Sequence, residues 1–365
     1  MIAATAYAEI NLDAIRHNLQ KVRSFAPSSK VMAVIKANAY GHGLVRIADA
    51  LGSADAFAVA RVDEGVRLRQ AGIKQRIAVL QGFTSVDELQ NIVAYELEAI
   101  VHSYRQLDLI ESWSGQGNLT VWLKIDTGMN RLGFKVWEVT AFYQTLSRNP
   151  KIKQPINLIT HLASADDKNN GFTTQQIKLF TETIVTFEGE RSIANSAGIL
   201  AWPEAITDWV RPGLMLYGVS PFPNTKGLDL GLEPVMSLHS KLIAVKQVTK
   251  GETVGYGNSW LCEKDTIIGV VAIGYGDGYP RYAKPGTPVL INDRRVPLIG
   301  RVSMDMITVD LATQPDALPG NKATLWGKEL AVEEIADYAD TIPYTLVCGV
   351  MQRVHIIETP ALETK

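Results

Sequence analysis

The sequence predicts an α/β protein in two domains, a TIM-type (β/α)8 barrel over residues 1–230 followed by a mainly β domain over residues 231–365. Three observations predict it. Between about residue 30 and residue 220, eight short apolar runs of β type begin at Val31, Ala56, Ile77, Glu98, Thr120, Ile156, Ser192 and Trp209. Amphipathic stretches such as DEGVRLRQAG and SVDELQNIVAY separate them, the alternation expected of βα units around a parallel sheet, and eight units favour a closed barrel over an open one. Beyond about residue 230 the texture changes to β-branched, alternating runs, among them KLIAVKQV, TIIGVVAIG, TPVLINDRRVPLIG and DMITVDL, punctuated by Gly, Pro, Asn and Asp. That reads as a second, β domain.

In chain order, AYAEINL alternates like a strand near residues 5–12, one able to pack with the second domain. Asp13 then suits the N-cap of a helix, DAIRHNLQKVRSF, that carries Ile15, Leu19 and Val22 on one face. The first barrel strand, VMAVI, runs into Lys36, and the other barrel runs follow with a helix-patterned stretch between each pair. PFPNTKGLDLGLEP, residues 221–234, is dense in Pro and Gly and marks the junction between domains. VEEIADYAD, from Val332, has helical spacing and is expected to pack against the β domain.

At 365 residues the chain has room for both domains. A hydrophobic fraction of 46% with 20% charged residues is that of a globular protein, and a net charge of -2 supplies no field to draw in polyanions, so nucleic acid is not an expected partner. The start, MIAATAYAEINLD, has no basic region followed by an apolar core, and no apolar run approaches the roughly 20 residues that span a bilayer. A cytoplasmic protein with no membrane partner is expected. Cys262 and Cys348 are too few and too far apart for a disulfide scaffold, and the six histidines show no pair at ligand spacing, so no metal is expected.

In such a barrel the C-terminal ends of strands face the site, whereas mid-strand positions fill the core. Lys36 stands at one of these ends. As a strand terminus in solvent it needs no further explanation; buried, it needs a partner or a covalent bond. Asn195-Ser196-Ala197-Gly198 ends the seventh run and Arg211-Pro212-Gly213-Leu214 lies within the eighth, where barrels often hold a phosphate with glycine N–H groups and a small hydroxyl. A lysine facing a phosphate cradle is what a pyridoxal phosphate Schiff base requires. The glycines at 274, 276 and 278 miss the G-x-G-x-x-G spacing and precede Pro280 instead of a helix, so they read as a turn or a site rim. Neither G-x-x-x-x-G-K-[ST] nor G-x-S-x-G occurs, which removes P-loop phosphotransfer and α/β-hydrolase chemistry.

AVIKANAYGHG, residues 33–43, resembles the cofactor-lysine signature of the alanine racemases, pyridoxal phosphate enzymes of fold type III. Further blocks resemble that family's motifs in family order: WLKIDTGMNRLGF from 122, THLASAD from 160, ANSAG from 194, RPGLMLYG from 211, VGYGNSW from 254, IGYGDGYPR from 273 and GRVSMDM from 300. The resemblance spans nearly the whole chain and both expected domains. It implies pyridoxal 5′-phosphate as cofactor, L-alanine and D-alanine as substrates, and a head-to-tail homodimer. Other fold-type III enzymes, such as an amino-acid decarboxylase or a racemase of broader specificity, are the nearest alternatives, and VGYGNSW with SMDM favours a racemase with a small pocket. A non-enzymatic pyridoxal-phosphate-binding protein of single-barrel form would need neither the second domain nor Tyr256.

The resemblance implies a role for each matching residue. Lys36 is the lysine that bonds the cofactor and then serves as one base; Tyr256, reaching in from the partner subunit, is the other. Arg211 matches the arginine at the pyridine nitrogen, and His161 would link it to Tyr256. Arg131 resembles the arginine near the substrate carboxylate, and Lys124 the lysine that many members carbamylate to hold that arginine. Tyr40, Asn195, Ser196, Gly213 and Leu214 match the phosphate side; Met304 and Asp305 would line the substrate pocket, with Tyr275 at its entrance. Two positions depart from the pattern: Gln352 precedes Arg353 where a phosphate-reaching tyrosine is common, and Pro212 replaces a frequent aromatic. An amine and a phenol ordinarily titrate near 10.4 and 10, so each base form must be made about three pH units more accessible at pH 7, roughly 4 kcal/mol. The phenol therefore needs positive charge from the His161 and Arg211 pair.

Overall fold

The computed structural model describes residues 5–359; residues 1–4 and 360–365, which the two expected domains include, lie outside the described residues. Strand β1 (Tyr7–Asn11) ends where the Asn11 side chain folds back over helix α1 (Leu12–Phe25), its oxygen accepting from the Asp13 and Ala14 N–H groups at 3.0 Å each. Asn11, not Asp13, is therefore the N-cap. Both residue types cap well, and the earlier one took the position, leaving Asp13 in the first turn, where a carboxylate suits the positive end of the helix. Ile15, Leu19 and Val22 are buried together on one face.

Eight parallel strands follow, one from each apolar run: β2 (Lys30–Val34), β3 (Ala56–Val59), β4 (Arg76–Val79), β5 (Glu98–Val101), β6 (Thr120–Asp126), β7 (Asn157–Ile159), β8 (Arg191–Ser192) and β9 (Trp209–Val210). They pair in sequence order, and β9 returns to pair with β2, closing the barrel. Helices run outside, among them α2 (Val62–Gln70) after β3 and α3 (Ser196–Ala201) after β8. The N-terminal end of the barrel is sealed by structural groups. Arg76 pairs with Glu98 and with Glu190 (2.9 Å to the latter), the Trp122 indole N–H donates to Glu98 at 2.7 Å, and Trp122 meets Trp209 edge-on at 6.2 Å. That leaves the opposite, C-terminal mouth for chemistry.

The second sheet contains β10 (Met236–Val248), β11 (Thr266–Val271), β12 (Pro288–Ile291), β13 (Arg294–Ile299), β14 (Ile307–Asp310), β15 (Lys322–Trp326) and β16 (His355–Thr359). Long strand β10 pairs with β15 in its first half and with β11 in its second, so that β10 to β15 form a closed ring. β1 joins this sheet, antiparallel to β10 and parallel to β16, so both ends of the described chain lie in it. Buried Asn18 on α1 ties the junction, donating to the Leu216 and Glu233 carbonyls (2.9 and 2.8 Å) and accepting from the Glu233 N–H (2.8 Å). Helix α4 (Val332–Tyr338) clasps the junction as well, since its Glu333 carboxylate accepts from the Ser220 and Gly227 N–H groups. A last helix, α5 (Pro343–Cys348), begins on a proline at N1. No helix among the described residues is long and apolar enough to cross a membrane.

Candidate active site

At the barrel's C-terminal mouth lies a cavity of about 1110 Å³ whose walls include Lys36, Tyr40, Lys124, Arg131, His161, Asn195, Ser196, Arg211, Gly213, Leu214 and Tyr344. The chain arrives there by an unusual backbone. Ala37, Asn38 and Ala39 all have φ and ψ near +50°, and Tyr40 has φ 51°, one turn of left-handed helix without a glycine. L-residues adopt it at roughly 1–2 kcal/mol each, so the surroundings must hold it. The turn brings Lys36 and Tyr40, four residues apart, to the same cavity.

Burial pulls the Lys36 ammonium below its ordinary pKa; Arg131 adds to this, while Glu64 and Cys348 oppose it. Lys124 on β6 is lowered further, to about 8, by burial first and then by Arg211, Arg131 and Lys36. His161 is held well below the usual imidazole range by burial and the same cations, so it is neutral. Its Nδ1 accepts from Arg211 Nη2 at 3.4 Å. Arg211 is almost completely buried and sends its other bonds to the Ser192 hydroxyl and to the Thr160 and Ile193 carbonyls. Burial lowers its pKa to about 9, which still leaves a cation at pH 7. The positive charge expected of the His161 and Arg211 pair therefore rests on Arg211; the neutral histidine accepts a hydrogen bond from it.

One wall is phenolic. The Tyr40 ring stacks on Tyr217 at 4.6 Å and lies 5.8 Å from Tyr344, and burial keeps Tyr40 and Tyr344 protonated, the latter pushed up to about 12. Gly213 permits this arrangement, because a Cβ there would sit 2.7 Å from the Tyr40 hydroxyl. The Gly213 and Met215 N–H groups donate to the Ser196 oxygen at 2.9 and 3.3 Å, which leaves the serine hydrogen free to point elsewhere. Asn195 borders the cavity, but its side-chain oxygen caps α3 by accepting from Gly198. Tyr344, in the first turn of α5, was missed by sequence reasoning. Its proline at N1 signals a helix start, but nothing local places the ring opposite Tyr40. Gln352 and Arg353 lie in the turn before β16, not in the last strand, while the Tyr344 phenol lies on the cavity wall beside Tyr40.

Tyr256, Tyr275, Met304 and Asp305 are not brought to Lys36 within the chain. All four are exposed on the β domain, Tyr256 by 68%. Tyr275 and Met304 lie on adjacent loops joined by Gly276 N–H donating to the Met304 carbonyl, and Asp305 pairs with Arg353 at 2.6 Å. Arg131 is exposed too, at the rim of the cavity.

The family model for the alanine racemase N-terminal domain matches residues 10–221, and that for the alanine racemase C-terminal domain matches residues 235–358. The chain is 50% identical to an alanine racemase of Aeromonas hydrophila over 349 residues, 96% of this chain and 98% of that one. It is 49% identical to one from Coxiella burnetii over 97% of this chain and 98% of that one. Its fold is similar to the crystal structure of the biosynthetic alanine racemase of Pseudomonas aeruginosa, with TM-score 0.95, 40% identity, and 98% and 100% of the two chains covered.

Proposed function

The chain belongs to the alanine racemase family, and on that premise we propose that it interconverts L- and D-alanine with pyridoxal 5′-phosphate held in the Lys36 cavity, Lys36 serving one face of the substrate and Tyr256 of a second copy the other. The cavity carries this reading: it joins a desolvated amine, a buried cation and a phenol-and-hydroxyl wall at the mouth of one barrel. Those groups fit the cofactor. Lys36 would bond its aldehyde carbon, Tyr40, Tyr344, Ser196 and the Gly213–Leu214 backbone would hold its phosphate, and Arg211 would face its ring nitrogen. When bound, the cofactor supplies a conjugated electron sink that acidifies the substrate's α C–H bond.

The residues do the rest. The lowered pKa of Lys36 enlarges the free-amine fraction able to take a proton at the α-carbon. Arg211, fixed by four neutral acceptors, would disfavour a proton on the ring nitrogen of a bound cofactor. Charge at the α-carbon would then be poorly stored, so a group on the opposite face would have to return a proton promptly. Arg131 at the rim would receive the substrate carboxylate. Tyr256, Tyr275 and Met304 would complete the site in a head-to-tail homodimer, which accounts for large side chains left exposed on the β domain.

Incubated with pyridoxal phosphate, the protein is expected to bring pure L-alanine and pure D-alanine to the same equal mixture, read by chiral chromatography. Release of carbon dioxide, or colour without turnover, would sink the reading. Lys124 gives a second expectation. Below pH about 8 its amine is protonated and cannot attack carbon dioxide, whereas above it the free amine prevails. Carbamylation in ¹³C-bicarbonate should therefore rise as pH passes about 8, giving a carbamate signal that Lys124→Arg removes. A carbamate signal unchanged by Lys124→Arg would overturn the assignment.

A further inference from the structure

The left-handed turn that follows Lys36 is secured at its far end by several bonds. Asn38 Oδ1 accepts from the Leu44 N–H at 3.0 Å, and His42 Nδ1 donates to the Ala39 and Tyr40 carbonyls at 3.1 and 2.8 Å. At its near end the side-chain tether is Glu64, on α2. This carboxylate is 5% exposed and divides its oxygens: Oε1 accepts from the Ala37 N–H at 2.7 Å, while Oε2 accepts from the Ala60 and Arg61 N–H groups at 2.8 and 3.2 Å.

We propose that Glu64 is the positioning residue of Lys36: its Oε1 pins the first residue of the left-handed turn and so fixes the direction in which the lysine enters the cavity. The proposal rests on Lys36 as the cofactor-bearing base. Oε2 does the ordinary work of capping α2 from its third position, and a residue needed only for that cap has no use for a bond to Ala37. The two roles sit on different atoms. A glutamine at 64 keeps one acceptor oxygen, and turning it toward Ala60 and Arg61 preserves two bonds where turning it toward Ala37 preserves one. Its NH2 group then meets the Ala37 N–H, donor against donor. Glu64→Gln thus severs the tether and spares the cap.

Three measurements on Glu64→Gln test this. In the cofactor-free protein, amide hydrogen exchange at Ala37 should accelerate by about tenfold or more, while Ala60 and Arg61 change by less than about threefold. In the loaded enzyme, kcat for alanine should fall about tenfold with KM within about twofold, since the base is misaimed while the substrate contacts remain. Adding Ala37→Gly should recover much of that kcat, because glycine takes φ near +54° without the Cβ penalty and needs no tether. Glu64→Asp, one methylene shorter, draws both oxygens back and serves as the comparison that loses tether and cap together, with exchange accelerating at Ala37, Ala60 and Arg61 alike. Wild-type exchange at Ala37 in a variant that keeps its cap, unchanged kcat, or no rescue by Ala37→Gly would each overturn the assignment. A wild-type protein that gains no colour with pyridoxal phosphate overturns the cofactor reading of Lys36, while exchange at Ala37 still judges the tether.

Discussion

Replacing Lys36 with alanine is expected to leave a folded, colourless protein whose racemisation falls in both directions by at least about 10⁴-fold. Two contributions disappear together: the amine that bonds the cofactor and the base on one face of the substrate. Folding should survive. The bonds that hold the turn from residue 37 to residue 43 come from backbone groups, Glu64, Asn38, His42 and Arg46, and none uses the lysine side chain. Because burial disfavours the Lys36 ammonium, its removal should keep or slightly raise the melting temperature. The competitor is Lys124, a second amine on the same cavity wall with a pKa near 8. Lys124→Ala should remain yellow in pyridoxal phosphate and Lys36→Ala should not; the reverse pattern would transfer the cofactor role to Lys124.

The barrel was legible because its strands are covered on both faces, so they appear as unbroken apolar runs, and the residues that end them fall at the mouth without long-range information. Lys36, Ser196 and Arg211 could be placed this way, whereas Lys124 and His161 were singled out by the family resemblance. What escaped depends on contacts between distant segments. Glu64 reads as one more charge on an amphipathic helix until the fold sets it against Ala37. Between Tyr40 and Tyr344 lie the rest of the barrel and most of the second domain. Ala-Asn-Ala-Tyr, with Asn38 as its only common left-handed residue type, does not announce four consecutive positive φ values. The cap was misplaced by two residues because Asn11 and Asp13 satisfy the same local rule. Protonation is the least local property: His161 titrates where four cations and burial put it, and no motif encodes that sum.

Tyr256→Phe is expected to lower racemisation by about 10²–10⁴-fold in both directions, since either direction needs one base to take the α-proton and the opposed group to return one. The substitution removes only a hydroxyl from an exposed side chain on a short turn between Gly255 and Gly257, so stability should not change. The enantiomer whose α-hydrogen faces Lys36 should still exchange it with deuterated solvent without inverting; exchange of both enantiomers at wild-type rates would leave Tyr256 with no role as a base. Mixing decides which chain the phenol serves. If each site takes Lys36 from one chain and Tyr256 from the other, a mixed dimer of Lys36→Ala and Tyr256→Phe chains has one intact site and one doubly damaged site. Random re-pairing of two inactive proteins should then restore about a quarter of wild-type activity. If Tyr256 served its own chain, every site in the mixed dimer would carry one lesion, and mixing would restore nothing.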